Sequence, residues 1–293
     1  MQAIKPDTEY RIEQFTIFND RETDFYLHRI EKAVFEAVQQ LNQSDGLRLL
    51  DVGCGLGMQA ARLALRGWEA YGVDASDQML RLGQFRFPAV HKRVRLSRGI
   101  AEALPFCSGF FDVVMCQGAM DHFADRHSFV AEVERVLKPG GHFVVALANY
   151  ESLACRIGKM MDDVSRSFGV DTPKRYQFWR IPTDHIFRGS YRVLKSLDNG
   201  TMRTKKLRGA SMFLFLPPWR ELLESLPYEL SAAVFHVVDR FAYRFPSAAD
   251  VVIGVFRKSD LVGSGNLSDL LRLRLEARGN GKKRSSAVPA CPL

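Results

Sequence analysis

Apolar and polar positions alternate in short blocks over the first half of the chain. Residues 47–51 are apolar apart from Arg48 and predict a short buried strand. A glycine turn follows, and residues 58–65 predict a helix. Residues 69–73 predict a second strand ending in Asp74. A helix capped by Ser76 or Asp77 then runs toward Phe87, where Pro88 stops it. Residues 93–100 and 111–116 predict the third and fourth strands. A helix over 126–137 turns Phe129, Val130, Val133, Val136 and Leu137 inward, and residues 142–148 predict the fifth strand. Upstream, residues 24–41 carry Phe25, Leu27, Ile30, Val34, Val38 and Leu41 broadly on one helical stripe. Strands alternating with helices place the chain in the α/β class.

The pattern changes near residue 150. Residues 150–208 mix aromatics and methionines, among them Met160, Met161, Phe168, Tyr176, Phe178, Trp179 and Phe187, with many basic residues. They read as an insertion between the fifth strand and a last pair of strands, expected at 205–215 and 250–256. Pro217-Pro218-Trp219 opens a helix toward Leu226, and a second helix covers about 230–245. From Gly263 the chain is rich in Gly, Ser and Arg and reads as a disordered basic tail, with one short helix at 267–278. Five segments result: a helical cover (1–46), a ligand-binding core (47–149), the insertion (150–208), the end of the sheet (209–260) and the tail (261–293).

Composition narrows the classes. A hydrophobic content of 46% over 293 residues supports a sizeable core. No apolar run reaches the ~18–20 residues of a membrane span, and the N-terminus has no signal-peptide pattern. The five cysteines are scattered without a C-x-x-C, which favours a reducing, cytoplasmic setting over a disulfide framework or a zinc site. Residues 1–150 hold 17 Lys/Arg against 19 Asp/Glu, while residues 151–293 hold 24 against 14. The net charge of +8 thus belongs to the second half. An anionic membrane surface, an acidic substrate or nucleic acid could use it, as could a merely solvated face.

The candidate chemistry starts at Asp51-Val52-Gly53-Cys54-Gly55-Leu56-Gly57. Strand, glycine turn and helix form a nucleotide-binding arrangement, with bare backbone and free N–H groups. The spacing is G-x-G-x-G, whereas a dinucleotide fingerprint would need glycine at Met58. No Lys-Ser/Thr follows, so this is not a phosphate-cradling Walker loop. An acid before the loop suits a small zwitterionic nucleoside. Asp74, ending the second strand, suits both hydroxyls of a ribose.

D-V-G-C-G-x-G resembles the first motif of the class I S-adenosylmethionine-dependent methyltransferases. Gly72-Val73-Asp74-Ala75-Ser76-Asp77-Gln78-Met79-Leu80 is similar to the G-x-D-x-S-x-x-M-L of their type 11 group, which includes the ubiquinone and menaquinone methyltransferases. Ala101-Glu102-Ala103-Leu104-Pro105-Phe106 matches its A-E-x-L-P-F, and Val136-Leu137-Lys138-Pro139-Gly140-Gly141 its turn into the fifth strand. The resemblance covers about 47–149. It implies a Rossmann-like, seven-stranded, mostly parallel sheet flanked by helices, with a helical, aromatic insertion between strands 5 and 6 that builds the acceptor pocket. It implies S-adenosylmethionine as cofactor, with S-adenosylhomocysteine as product. The implied contacts are Asp51, Gly53, Cys54, Gly55, Gly57, Asp74, Ala75, Met79, Ala101, Glu102 and Gln117. Ile100 stands where the group has an acid for the adenine amino group, which shifts that contact to Ala101 and Glu102.

Open α/β sheets bind ligands beyond the carboxyl ends of their strands, so catalysis is sought after Cys116 and after Ala148. Asp121 and His122 form an acid–base pair, and His185 is a third candidate. Quinone O-methyltransferases carry E-x-x-E-H with a bound metal; here Gly118 replaces the first acid, and no metal is expected. The N-P-P-Y-type signature of nucleobase methylation is absent, which disfavours nucleic acid. The expected activity is methyl transfer to oxygen or carbon of a small-molecule or lipid-like acceptor, with weak peripheral membrane contact. A non-catalytic cofactor-binding relative and an RNA methyltransferase are the alternatives. The oligomeric state is not legible.

Overall fold

The computed structural model describes residues 21–41, 46–86, 88, 92–172, 177, 179–180, 185–213 and 225–260. The elements are α1 (Arg21–Gln39), β1 (Arg48–Val52), α2 (Met58–Ala64), β2 (Glu69–Asp74), α3 (Asp77–Arg86), β3 (Val94–Arg98) and β4 (Phe111–Gln117). A 3-10 turn (Met120–His122), α4 (Arg126–Val136), β5 (Leu137–Ala148), α5 (Leu153–Ser167), α6 (Tyr191–Lys195), β6 (Met202–Ala210), α7 (Tyr228–Arg244) and β7 (Val251–Lys258) complete them. The expected helix at Pro217-Pro218-Trp219, the tail with its short helix, and Tyr176 and Phe178 of the insertion lie outside the described residues.

The strands form one seven-stranded sheet in the order β3-β2-β1-β4-β5-β7-β6. The first five run parallel, and β7 is antiparallel to both β5 and β6. The expected Rossmann-like, mostly parallel sheet is therefore the fold. Strand order reverses between β1 and β4, which opens a crevice at their carboxyl ends.

The strands read as unbroken apolar runs because both faces are covered. Leu49, Val113, Val144 and Ile253 face one core with Ile30, Val34 and Val38 of α1 and Ala60, Ala61 and Leu63 of α2. Leu50, Val114, Val145 and Val252, each one residue away in its strand, face the other with Phe129, Val133 and Val136 of α4. Each such Leu or Val contributes about 1.5–3 kcal/mol on burial. Residues 150 onward close the second face through Leu194 of α6 and Phe256 of β7.

Two boundaries differ from expectation. Lys138-Pro139-Gly140-Gly141 is a bulge inside β5 and not a turn before it: Phe111 pairs with Leu137, and Val113 next pairs with His142. Gly140, at φ +76°, takes the left-handed conformation this requires. β6 begins at Met202, inside the expected insertion. It is an edge strand whose Arg203, Lys205 and Lys206 are exposed, so its apolar alternation is faint in the sequence.

Candidate active site

The glycine loop leaves β1 at the crevice. Gly53, Gly55 and Gly57 all lie in the left-handed region, at φ +72°, +52° and +74°. Gly53 also has no room for a side chain: a Cβ there would sit 2.3 Å from Cβ of Ala119. This contact sets the loop directly against the segment that leaves β4. The Gly53 and Cys54 N–H groups donate to the Val73 carbonyl at 2.8 and 3.1 Å, tying the loop to the end of β2.

Asp74 ends β2 and turns into the loop. Its Oδ2 accepts from the Gly55 N–H and its Oδ1 from the Ser76 N–H, both at 2.8 Å. Burial pushes this carboxyl up, and the two N–H groups offset part of that. Both oxygens keep further lone pairs for hydroxyl donors. Asp51 is nearly fully buried, and its pKa is pushed up to about 8 by burial first and by the neighbouring Asp74 second. Cys54 is raised well above its ordinary value by burial and then by the same two acids, so it is an unreactive thiol. Ser76, not Asp77, caps α3 by accepting from the Met79 N–H at 3.3 Å, while Asp77 pairs with Arg81 at 2.6 Å. Met79 lies under the loop, with its Cε 3.5 Å from where a Gly55 Cβ would be. The Ala75 carbonyl accepts from Arg98.

On the far side of β2, Ala101 is buried and Ile100 is bridged to Ala103. The Glu102 carboxylate accepts from the Asp125 N–H at 3.1 Å, so it braces the start of α4. Glu132 and Arg135 of α4 hold the same loop, accepting from the Leu104 N–H at 2.7 Å and donating to the Leu104 and Phe106 carbonyls at 2.9 and 2.7 Å. At the end of β4, the Oε1 of Gln117 is buried with no hydrogen-bond partner among the described residues. Such an atom awaits a donor.

Asp121, His122 and His185 meet, although the last is far along the chain. The Nδ1 of His185 lies 3.0 Å from Oδ2 of Asp121, and the Nε2 of His122 lies 4.0 Å from Oδ1. The two imidazoles stand edge to face with centroids 4.5 Å apart. Burial raises the Asp121 carboxyl, but the hydrogen bond and charge of His185, with His122 behind them, outweigh it and hold the group below the usual range.

What brings His185 there is backbone. The Ile186 N–H donates to the Asp121 carbonyl at 2.8 Å. Gly189 packs so tightly on β5 that a Cβ would lie 2.4 Å from the Ala148 carbonyl oxygen. Asn149 receives the Glu151 and Tyr191 N–H groups on its Oδ1, at 3.2 and 3.3 Å, and so ties both ends of the insertion together. The Tyr150 hydroxyl lies 3.2 Å from Nδ1 of His185. Asn149, Tyr150 and Gly189 were not among the expected site residues. The position of Asn149 and Tyr150 just after β5 was the available signal, and Gly189 offered none.

Residues 50–145 match the methyltransferase domain family. The methyltransferase likeness thus spans about a third of the chain. It is 38% identical over 99 residues to the uncharacterized methyltransferase YcgJ of Bacillus subtilis, covering 33% of this chain and 39% of that one. It is 32% identical over 134 residues to a ubiquinone biosynthesis O-methyltransferase of Leptothrix cholodnii, covering 44% and 57%. The chain thus spans about two to three fifths of these curated relatives. A putative sarcosine dimethylglycine methyltransferase of Galdieria sulphuraria shares the fold at TM-score 0.53, with 15% identity, over 82% of this chain and 89% of that one.

The methyltransferase domain implies S-adenosylmethionine, and the site fits it. The bare loop backbone, the partnerless Gln117 oxygen and two carboxylates at the strand ends suit a nucleoside that carries positive charge.

Proposed function

We propose that the chain methylates an oxygen of a small-molecule acceptor, with S-adenosylmethionine as donor. The observation that supports this best is the Asp121–His122–His185 cluster beside the glycine loop, joined to it through Ala119 and Gly53. The relatives named as ubiquinone biosynthesis O-methyltransferases support oxygen over carbon.

When bound, the cofactor supplies a methyl group on a sulfonium, whose thioether is the leaving group. Asp74, the glycine loop and Gln117 would hold it, and Asp51 would face its positive charge. The chain's own work is alignment, which can be worth roughly 7–11 kcal/mol. Asp121 accepts the Nδ1 proton of His185 and fixes that ring, which leaves Nε2 as the proton acceptor. The acceptor's hydroxyl proton passes to that cluster as its oxygen takes the methyl group. Such general-base help contributes about 10²–10⁴-fold.

The test is S-adenosylhomocysteine formation from S-adenosylmethionine with a panel of small phenols and alcohols. His185→Ala is expected to lower turnover at least about a hundredfold while cofactor affinity stays near that of the wild type. Parallel losses of both quantities would move His185 into the cofactor site. Turnover with none of the panel or with an untargeted metabolite extract would favour a binding role without catalysis.

A further inference from the structure

We propose that Asp121, His122 and His185 bind one divalent first-row transition-metal cation, of which zinc is the representative. This deepens the reading above and rests on it, because the same cluster is the acceptor's place.

The donor set is two imidazoles and one carboxylate, a combination that suits borderline cations and leaves open positions for an exogenous ligand. One donor atom from each side chain lies within 4.8 Å of the others. Donors held 2.0–2.2 Å from a tetrahedral ion stand about 3.4 Å apart. Each imidazole faces its own carboxylate oxygen, Nδ1 of His185 at 3.0 Å from Oδ2 and Nε2 of His122 at 4.0 Å from Oδ1. Small side-chain rotations would therefore close the set around an ion.

A second observation points the same way. The Asp121 side chain is only 4% exposed, and its Oδ1 has no hydrogen-bond partner among the described residues. A buried carboxylate oxygen left so costs free energy that a cation would recover. The local sequence argued against a metal because Gly118 offers no side chain. The fold supplies the third donor from the insertion instead, through the Ile186–Asp121 backbone bond.

Two neighbouring groups are not part of the set. Cys116 is buried, its thiol raised by burial and nearby acids, and Cys54 belongs to the glycine loop. A cation would replace the proton that Nδ1 of His185 shares with Asp121, and the Tyr150 hydroxyl, 3.2 Å from that nitrogen, would give way when one binds. With an ion bound, His185 is a ligand and no longer the base; the ion would act as a Lewis acid on the acceptor oxygen, lowering the pKa of its hydroxyl so that water takes the proton before methyl transfer.

The experiment uses the full chain freed of metal by chelation, titrated with Zn²⁺ by calorimetry and with Co²⁺ by visible absorption. Expected are one equivalent of bound metal and d–d bands of nitrogen and oxygen ligation. His122→Ala and His185→Ala should each weaken binding at least about tenfold, whereas Tyr150→Phe and Cys54→Ser should leave it intact. No stoichiometric binding to the wild type, equal binding by both histidine variants, or thiolate charge-transfer bands would overturn the proposal. The parent reading fails differently. Wild-type metal binding with turnover unchanged in every cluster variant would keep the metal site and remove the acceptor site. Loss of turnover in His185→Ala without metal binding by the wild type would do the reverse.

Discussion

Asp51 lies one residue before the end of β1 and Asp74 ends the adjacent parallel β2, and at this scale their charges carry the proposed cofactor half of the site. Asp74 answers two loop N–H groups with its two oxygens. Asp74→Ala should therefore lose ligand contacts and loosen the loop together. Charge-assisted hydrogen bonds are worth roughly 1.5–3 kcal/mol, so calorimetry should show a ten- to hundredfold weaker Kd for S-adenosylmethionine, with the melting transition still cooperative. Unchanged affinity in a folded variant would remove Asp74 from the site. Asp51 makes a second prediction through its pKa of about 8, raised by burial and then by Asp74. Near neutral pH the free protein keeps most of this carboxyl protonated. A bound positive charge favours the ionised form, so binding should expel a proton, and affinity should rise as pH climbs toward 8 and level off above it. Calorimetry at pH 7 in buffers of different ionisation enthalpy reads that proton directly. Proton release that persists undiminished in Asp51→Asn would assign it to another group.

Among the elements, the connection from β5 to α6 matters most to the proposed catalysis. Gly189 lies against the Ala148 carbonyl, its own carbonyl accepts the Tyr150 N–H at 3.1 Å, and Ser190 caps α6 by accepting from the Val193 N–H at 3.2 Å. Gly189→Ala puts a methyl group where only backbone fits. It should cost about 1–3 kcal/mol of stability and shift His185 off Asp121. Denaturant melts should show that loss, and kcat should fall with cofactor affinity kept; equal kcat would show that His185 is placed by other contacts. This connection also marks where the sequence stopped being legible. β1, β2 and β4 were readable because each is an apolar run followed by a glycine or an acid that only a ligand-binding turn explains. Asp121, His122 and His185 could be named from residue type and strand position. Their meeting could not, because it depends on one backbone bond and one close approach across sequence-distant segments. β6 was misplaced for a related reason: its outward lysines and arginine hide the strand period at a sheet edge.

At the scale of the whole molecule, charge and exposed apolar surface coincide on the second half. Of the apolar residues expected on α7, Phe235 and the half-buried Val234 and Val238 pack into the cores, while Val237, Phe241 and Phe245 stay exposed. On α5 and just past its end, Met160, Met161, Val164 and Phe168 are exposed beside Arg156, Lys159 and Asp163, with Met160 at 61% and Phe168 at 80%. No helix among the described residues is long and apolar enough to cross a membrane, so contact with a bilayer through this surface would be peripheral. An exposed apolar stripe flanked by cations meets the physical needs of such contact, and each basic residue near an anionic bilayer adds about 1 kcal/mol. Because Arg156, Lys159 and Arg166 of α5 are largely offset by Asp162 and Asp163, the expected binding is weak and lipid-dependent. Sedimentation with vesicles of neutral lipid should leave the protein in the supernatant, and anionic vesicles should pellet part of it. The double variant Met160→Glu, Phe168→Glu alters only solvent-facing side chains, so it should keep its fold and cofactor affinity while losing the pelleted fraction. Deleting residue 263 onward separates the tail's cations from those of α5. Full recovery in the supernatant under every condition would leave the basic half as a solvated surface and point to an acceptor that reaches the Asp121–His122–His185 cluster from free solution.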